Sequence, residues 1–455
     1  MVAEHLSGTA ALCRSFAGEF GAEAEGELMG LAHDIGKCTD GFQKRLLEGG
    51  PIVDHATAGA VACAQLLRTC AAACVAGHHS GLPDFGNPRT DRAGDATLYG
   101  RLKKGLEERY LDRCGECGAA LPRIPPETPE RNLWKLSFRT RMLYSCLVDA
   151  DFLDTERFMN GEPGRGGYDD LPTLLKRLES YIALWQNPKT ELNHLRCKML
   201  NTCIEAGCKP KGIYTLTVPT GGGKTVTSLA FALHHAVTHG MKRVIYIIPY
   251  TSIIEQNAEV FRNILGSGNV LEHHSGMEFD LSDGASPEEI RRALASENWD
   301  MPVVVTTAAR FFDSLYANRS SKCRKLHNLA NSVIIFDEAQ MLPLCHLRPC
   351  VAAMASLAEY VGSTLVLCTA TQPSLSDLLR TYAPGHTVME LCPQTEEIYD
   401  RFRRVTFRQA GVLEDDALAE QLSGHRQVLC VVNSRKAAQQ IFDRLPQEGS
   451  FHLST

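Results

Sequence analysis

Seven residues in the first third of the chain carry side chains that bind metal ions: His5, the adjacent pair His33 and Asp34, His55, the pair His78 and His79, and Asp151. Hydrolysing a phosphodiester at neutral pH requires a water of lowered pKa and counter-charge for the phosphoryl oxygens and leaving group, which two ions held about 3.5–4 Å apart supply. Imidazole donors suit Fe, Mn, Co or Ni, and the two oxygens of Asp34 allow one carboxylate to bridge both ions. A second set of reactive residues follows. The apolar run 213–218 leads into Pro219-Thr220-Gly221-Gly222-Gly223-Lys224-Thr225, the strand–loop–helix context of a phosphate-binding loop. There Thr220 and the three glycines bring backbone N–H groups to the phosphates of ATP, Lys224 neutralises the β/γ charge, and the Thr225 hydroxyl ligates Mg²⁺. Further on, Val333-Ile334-Ile335-Phe336-Asp337-Glu338-Ala339-Gln340 ends an apolar strand in two acids. Asp337 would hold the Mg²⁺ and Glu338 would orient the attacking water.

These groups need two kinds of scaffold. Residues 1–160 show helical periodicity, as over 56–75, and read as one all-α unit carrying the histidines. Gly- and Pro-rich sequence between 83 and 129 marks a surface insertion, whose Cys114/Cys117 pair reads as a plain loop because two further zinc ligands are not nearby. Residues 161–190 read as a linker that opens on the Gly-rich stretch 161–167. From 191 to 388, β-branched runs at 213–218, 244–248, 303–306, 333–336 and 365–368 alternate with helical segments, which predicts a parallel α/β sheet of the RecA-like kind. A further unit, 389–455, has a strand-like run at 428–432 and a helix after Ser434. At roughly 65 residues it is short for a second lobe, so the chain is expected to end inside a domain.

Composition is consistent with a folded enzyme. Hydrophobic residues make up 44% and charged residues 22% of the 455, which argues against disorder. No apolar run reaches membrane-spanning length, so no membrane association is expected and a cytoplasmic location is read. The 17 cysteines show no repeating spacing and read as free thiols. A net charge of −6 excludes whole-surface binding of nucleic acid and leaves a local basic track. The run Arg319-Ser320-Ser321-Lys322-Cys323-Arg324-Lys325 could extend such a track, but as a lone charge run it reads rather as a solvated loop.

The stretches Ala32-His33-Asp34-Ile35-Gly36-Lys37, Asp54-His55-Ala56-Thr57-Ala58-Gly59, Gly77-His78-His79-Ser80-Gly81 and Asp149-Ala150-Asp151-Phe152-Leu153-Asp154 resemble the HD superfamily. More closely, they resemble the CRISPR-associated nuclease-helicases of type I systems, the Cas-three family. That resemblance implies one metal on His5, His33, Asp34 and Asp151, a second on Asp34, His55, His78 and His79, and Lys37 steadying the scissile phosphate. It also implies Asp151 rather than Asp149 as the late carboxylate. The second half is similar to superfamily 2 helicases, which tolerate the non-glycine Val218 at the start of the phosphate loop. Thr369-Ala370-Thr371 resembles their coupling motif, and the segments from Pro249 to Gln256 and Thr306-Thr307 resemble their strand-holding motifs. The family's arginine finger and C-terminal domain are not within these 455 residues, and low ATP turnover is expected of the chain by itself.

The implied function is cleavage of single-stranded DNA drawn from a duplex by an ATP-driven motor. The implied partners are single-stranded and duplex DNA, an RNA-guided CRISPR targeting complex of the Cascade type, and a separate chain carrying the rest of the helicase. Two other readings are an HD phosphohydrolase with a regulatory P-loop lobe, and a motor-deficient fragment that retains nuclease and ATP or DNA binding.

Overall fold

The computed structural model describes residues 2–105, 120–125, 130–161, 164–277, 285–370, 375–393, 395–403 and 405–453. The Cys114/Cys117 pair and Thr371 lie outside the described residues. Residues 1–402 form one compact unit and 403–455 a second.

The first unit opens with helices α1 (Val2–Gly18), α2 (Glu23–Ala32), α3 (Asp40–Glu48), α4 (Ala56–Gln65), α5 (Thr69–Gly77), α6 (Leu98–Leu102) and α7 (Leu133–Asn160), with a 3-10 turn over Ile35–Cys38. Small residues let these helices approach closely. A Cβ on Gly59 would sit 1.9 Å from the Ala32 carbonyl oxygen, and one on Gly30 would sit 2.3 Å from the Ala10 Cα, so α4 and α1 press directly onto α2. Helix α7 is capped by Asn132, which accepts from the N–H groups of Trp134 and Lys135. Its Met142, Leu143, Tyr144, Cys146, Leu147, Val148 and Ala150 are all buried, more than one helical stripe, because α7 packs between α1, α2 and α5 on one side and the following lobe on the other.

The lobe continues through α8 (Leu171–Ala183), α9 (Glu191–Ala206), β1 (Ile213–Thr217), α10 (Lys224–Thr238), β2 (Arg243–Ile248), α11 (Thr251–Leu265), β3 (Val270–His273), α12 (Pro287–Asn298), β4 (Val303–Thr307), α13 (Ala308–Tyr316), α14 (Ser320–Cys323), β5 (Ser332–Phe336), α15 (Leu347–Val361), β6 (Thr364–Thr369), α16 (Ser376–Tyr382), β7 (Val388–Glu390) and α17 (Thr395–Arg401). The strands form one seven-stranded sheet in the order β3-β4-β2-β5-β6-β1-β7, with every pairing parallel. Alternation divides its faces: Val244, Tyr246 and Ile248 pack under α8 to α11, while Ile245 and Ile247 enter a core shared with the helical domain. That shared core joins Leu28, Cys74 and Leu147 to Phe311, Phe336 and Met354.

Three expectations are corrected here. Within the expected linker 161–190, Leu171, Leu174, Leu178 and Ile182 of α8 are buried in the lobe core. Arg165 is pinned by Glu156 and Glu297. Residues 389–402, expected to begin a second lobe, complete the first. β7 pairs with β1 at Ile213↔Val388, and Leu391, Ile398 and Phe402 are buried with the same core. Glu390 accounts for the pairing: its carboxylate accepts from the Thr215 and Thr217 hydroxyls at 2.8 and 2.7 Å, which an apolar edge strand would leave unmatched.

The second unit contains α18 (Asp415–Ser423) and α19 (Arg435–Phe442), the latter capped by Ser434 as expected. The run 428–432 is not a strand, and Leu429 and Val431 are each 82% exposed. A strand exists by pairing, and no described strand lies in this unit to pair with it. Among the described residues no helix is long and apolar enough to cross a membrane, and all described cysteines are free thiols.

Candidate functional site

The candidate metal-binding residues arrive from five separate elements. His33 ends α2 and Asp34 follows it, His55 caps α4, His78 and His79 follow α5, His5 comes from α1 and Asp151 from α7. The structure brings all seven together in two groups, Asp34 with His55, His78 and His79, and His5 with His33 and Asp151. Within each group the candidate ligand atoms lie within 4.8 Å of one another.

Asp34 stands between the groups. Its Oδ1 lies 3.3 Å from His55 Nε2 and 3.5 Å from His78 Nε2, while its Oδ2 lies 3.4 Å from His33 Nε2 and 3.7 Å from His5 Nε2. Asp34 Oδ1, His55 Nε2 and His78 Nε2 are buried without a well-formed hydrogen bond. Buried polar atoms are rarely left so, and three that converge on one point have the donor set of a cation site. The outer nitrogens are fixed by backbone: Nδ1 of His33 donates to the Gly30 carbonyl at 2.8 Å, and Nδ1 of His78 to the Val75 carbonyl at 2.7 Å, which turns each Nε2 inward.

The electrostatics follow from crowding. Burial by itself would raise Asp34, but the imidazoles of His33, His5 and His78 outweigh it and hold the carboxyl well below the usual range. His5 is pushed up to about 10 by its contacts with Asp151 and Asp34, against burial. Burial beside His78 draws His79 down to about 4, and burial also lowers His55. Lys37 pairs with Asp34 Oδ2 at the edge of the site.

Asp154 was not foreseen as part of this centre. It lies one turn after Asp151, on the same face of α7, and its Oδ2 accepts from His5 Nδ1 at 2.7 Å. That i, i+3 spacing was the available signal. Asp149 faces away, buried against Arg324 Nε at 2.8 Å and Asn298 Nδ2 at 3.0 Å. The basic run 319–325 is therefore not a solvated loop throughout. Arg324 and Lys325 are 4% and 5% exposed, drawn in by Asp149 and by the face of Trp299.

The nucleotide site lies at the carboxyl edge of the sheet, where ligands bind in such folds. Gly221 and Gly223 adopt φ of +84° and +88°, a region that side chains disfavour, and Lys224 opens α10. Lys224 Nζ lies 2.7 Å from Asp337 Oδ1 and also pairs with Glu338, which brings the phosphate loop and the acids after β5 together. Thr225 Oγ1 meets Asn257 Oδ1 at 3.2 Å. Arg196 of α9, not foreseen, clamps the loop by donating to the Gly221 carbonyl at 2.9 and 2.6 Å. Gln340 donates to Glu338 at 2.6 Å and accepts from the Thr369 hydroxyl at 2.5 Å, linking the second acid of the pair to the end of β6. Of the expected strand-holding residues, Thr306 is fully buried and its hydroxyl donates to the His273 carbonyl, so it is not available to a strand; Thr307 caps α13.

Residues 2–111 match the HD domain model and residues 201–378 the DEAD/DEAH box helicase model. The CRISPR-associated nuclease/helicase Cas3 of Haloferax volcanii is 25% identical over 425 residues, covering 75% of this chain and 45% of the relative. Among solved structures, T. fusca Cas3 with AMPPNP superposes with a TM-score of 0.54 at 18% identity, covering 85% of this chain and 50% of that one. A crystal structure described as a CRISPR-associated protein superposes with a TM-score of 0.52 at 16% identity, covering 90% of this chain and 53% of that one. Fold and sites define the class: an HD domain joined to a DEAD/DEAH box helicase lobe. Within that class the fold is similar to that of the Cas3 nuclease/helicases, and the chain spans about half the length of the relatives it matches.

Proposed function

We propose that this chain is a metal-dependent nuclease coupled to the ATP-binding lobe of a strand-translocating motor, acting on single-stranded DNA in CRISPR interference. The observation that carries the reading is Asp34, whose two oxygens face two separate clusters of metal-binding atoms. Bound divalent ions would supply a water of lowered pKa and charge for the phosphoryl oxygens. In this reading His5, His33 and Asp151 hold one ion, His55, His78 and His79 the other, and Asp34 both. Asp154 keeps His5 in the tautomer whose Nε2 faces inward. Lys37 steadies the scissile phosphate, a role compatible with its position at the rim.

In the lobe, Thr220 to Thr225 would cradle the phosphates of ATP–Mg²⁺, Asp337 would hold the ion and Glu338 the attacking water. The Gln340 bridge from Glu338 to Thr369 supports a hydrolytic rather than purely regulatory site, because it connects the water position to a strand end that can report on it. The Haloferax relative's name supports a CRISPR role. We take the partner to be an RNA-guided targeting complex that opens the duplex.

The test is cleavage of labelled single-stranded DNA by purified protein loaded with Mn²⁺, Co²⁺ or Ni²⁺, without ATP. Cleavage should appear with metal and vanish with chelator. Asp34→Ala should abolish it more completely than His5→Ala, because only Asp34 serves both ions. Undiminished metal-dependent cutting by Asp34→Ala would overturn the assignment.

A further inference from the structure

Two side chains that belong neither to the phosphate loop nor to the acid pair reach the nucleotide site from behind. Tyr246 lies on β2, fully buried, and its hydroxyl donates to Asp337 Oδ2 at 3.2 Å. Asn257 lies on α11, also buried, and its Oδ1 accepts from the Thr225 hydroxyl at 3.2 Å. The two contacts share one support. Asn257 and Phe261 stand one turn apart on α11, and the Phe261 ring meets the Tyr246 ring edge to face with centroids 5.1 Å apart.

Each contact leaves unspent the oxygen that a cation would use. Asp337 Oδ1 is turned to the loop, 2.7 Å from Lys224 Nζ, and accepts from the Glu338 N–H at 3.0 Å. With Oδ2 held by Tyr246, the carboxylate cannot rotate without giving up a buried hydrogen bond. A hydroxyl that ligates a cation offers its lone pairs and directs its proton to an acceptor on the other side. Asn257 Oδ1 is that acceptor for Thr225. A buried tyrosine hydroxyl finds a partner somewhere in most proteins, so the Tyr246 contact by itself says little. What points to function is convergence: from β2 and α11, buried groups meet the two residues read as ligands of one ion.

We propose that Tyr246 and Asn257 are positioning residues for the cation that accompanies the nucleotide. Tyr246 fixes the Asp337 carboxylate and Asn257 the Thr225 hydroxyl, so both ligands are oriented before the ion arrives. Groups that stand behind metal ligands are worth about 10–100-fold in metal affinity. The proposal rests on the ATP–Mg²⁺ reading of the lobe and adds the residues that set its affinity for the cation. A residue needed only for packing alters nucleotide binding with and without Mg²⁺ alike, whereas a positioning residue alters the Mg²⁺-dependent part.

The test is the fluorescence of N-methylanthraniloyl-ADP bound to the full chain, titrated with Mg²⁺ and compared with binding in EDTA. Tyr246→Phe removes a single oxygen atom, and Asn257→Leu removes the acceptor at similar size. Each should raise the Mg²⁺ concentration for half-maximal tightening by about tenfold, the low end for loss of such a group, with the change confined to the Mg²⁺-dependent part. Asn257→Asp keeps an acceptor oxygen and should bring the Mg²⁺ dependence back to that of the wild type. Unshifted Mg²⁺ dependence in Tyr246→Phe and Asn257→Leu would overturn the proposal. An equal loss of affinity with Mg²⁺ and in EDTA would mark a packing role and overturn it as well. If the melting temperature shows that Asn257→Leu does not fold, Tyr246→Phe decides alone. Wild-type protein that binds the analogue in neither condition sinks the ATP reading and the proposal with it, whereas wild-type binding with unshifted variants sinks the positioning role only.

Discussion

His5 turns its Nε2 to the candidate metal centre because Asp154 holds its Nδ1. The room for this contact comes from Gly8, where a Cβ would fall 2.0 Å from Asp154 Oδ1. Carboxylates behind a metal-binding histidine fix its tautomer and raise its basicity, and their loss typically lowers metal affinity about 10–100-fold. Asp154→Asn should therefore weaken Mn²⁺ binding by that range in a calorimetric titration while leaving the fold intact; equal affinity would make Asp154 structural. At the nucleotide site Lys224 is the residue that meets both acids. Lys224→Ala should abolish binding of a fluorescent ATP analogue, because no other described lysine or arginine pairs with Asp337 and Glu338. Retained binding would show that the backbone N–H groups of the loop suffice.

The centre's precision depends on helices that touch at glycine. Gly59 allows α4 to lie against the end of α2, and Gly36 allows the 3-10 turn to pass His55, whose carbonyl oxygen would be 2.2 Å from a Cβ. Those contacts set the distance between His55 and Asp34. Gly59→Val should destabilise the protein by about 3 kcal/mol, the upper range for overpacking, since backbone rather than a flexible side chain stands in the way. Differential scanning calorimetry measures this, and a Tm equal to wild type would mean that α4 can shift at little cost. In the lobe, Glu390 plays the comparable part for β7, meeting two hydroxyls of β1 that face the sheet edge.

Across residues 1–402, the helical domain and the lobe share one core, and their junction holds an ionic network in which buried Asp149, Arg324 and Arg165 meet Glu156 and the half-exposed Glu297. Asp149 is fully buried and two residues from Asp151, so the junction and the candidate metal centre sit on the same two turns of α7. Removing one partner of such a pair strands the other, at a cost of about 3–5 kcal/mol. Arg324→Met should lower the melting temperature of both domains together, followed by circular dichroism for the helices and by loss of nucleotide binding for the lobe. Separate transitions, with only one shifted, would show that the domains unfold independently.

The sequence by itself singled out the candidate site residues. His33-Asp34, His78-His79, the phosphate loop and Asp337-Glu338 are local patterns, and five strands of the sheet were legible as β-branched runs. Tertiary structure decided what depends on partners distant in the chain. It aimed Asp151 at His5 and Asp149 at Arg324, residues 146 positions before and 175 after. The short strand at Val388–Glu390 exists because β1 offers an edge, whereas the more strand-like run at 428–432 has none. Helix α8 reads as linker until the apolar side of the sheet is there to bury Leu174 and Leu178. Periodicity along a chain records a side chain's preference, but pairing and burial are properties of two surfaces, and only one of them is written locally.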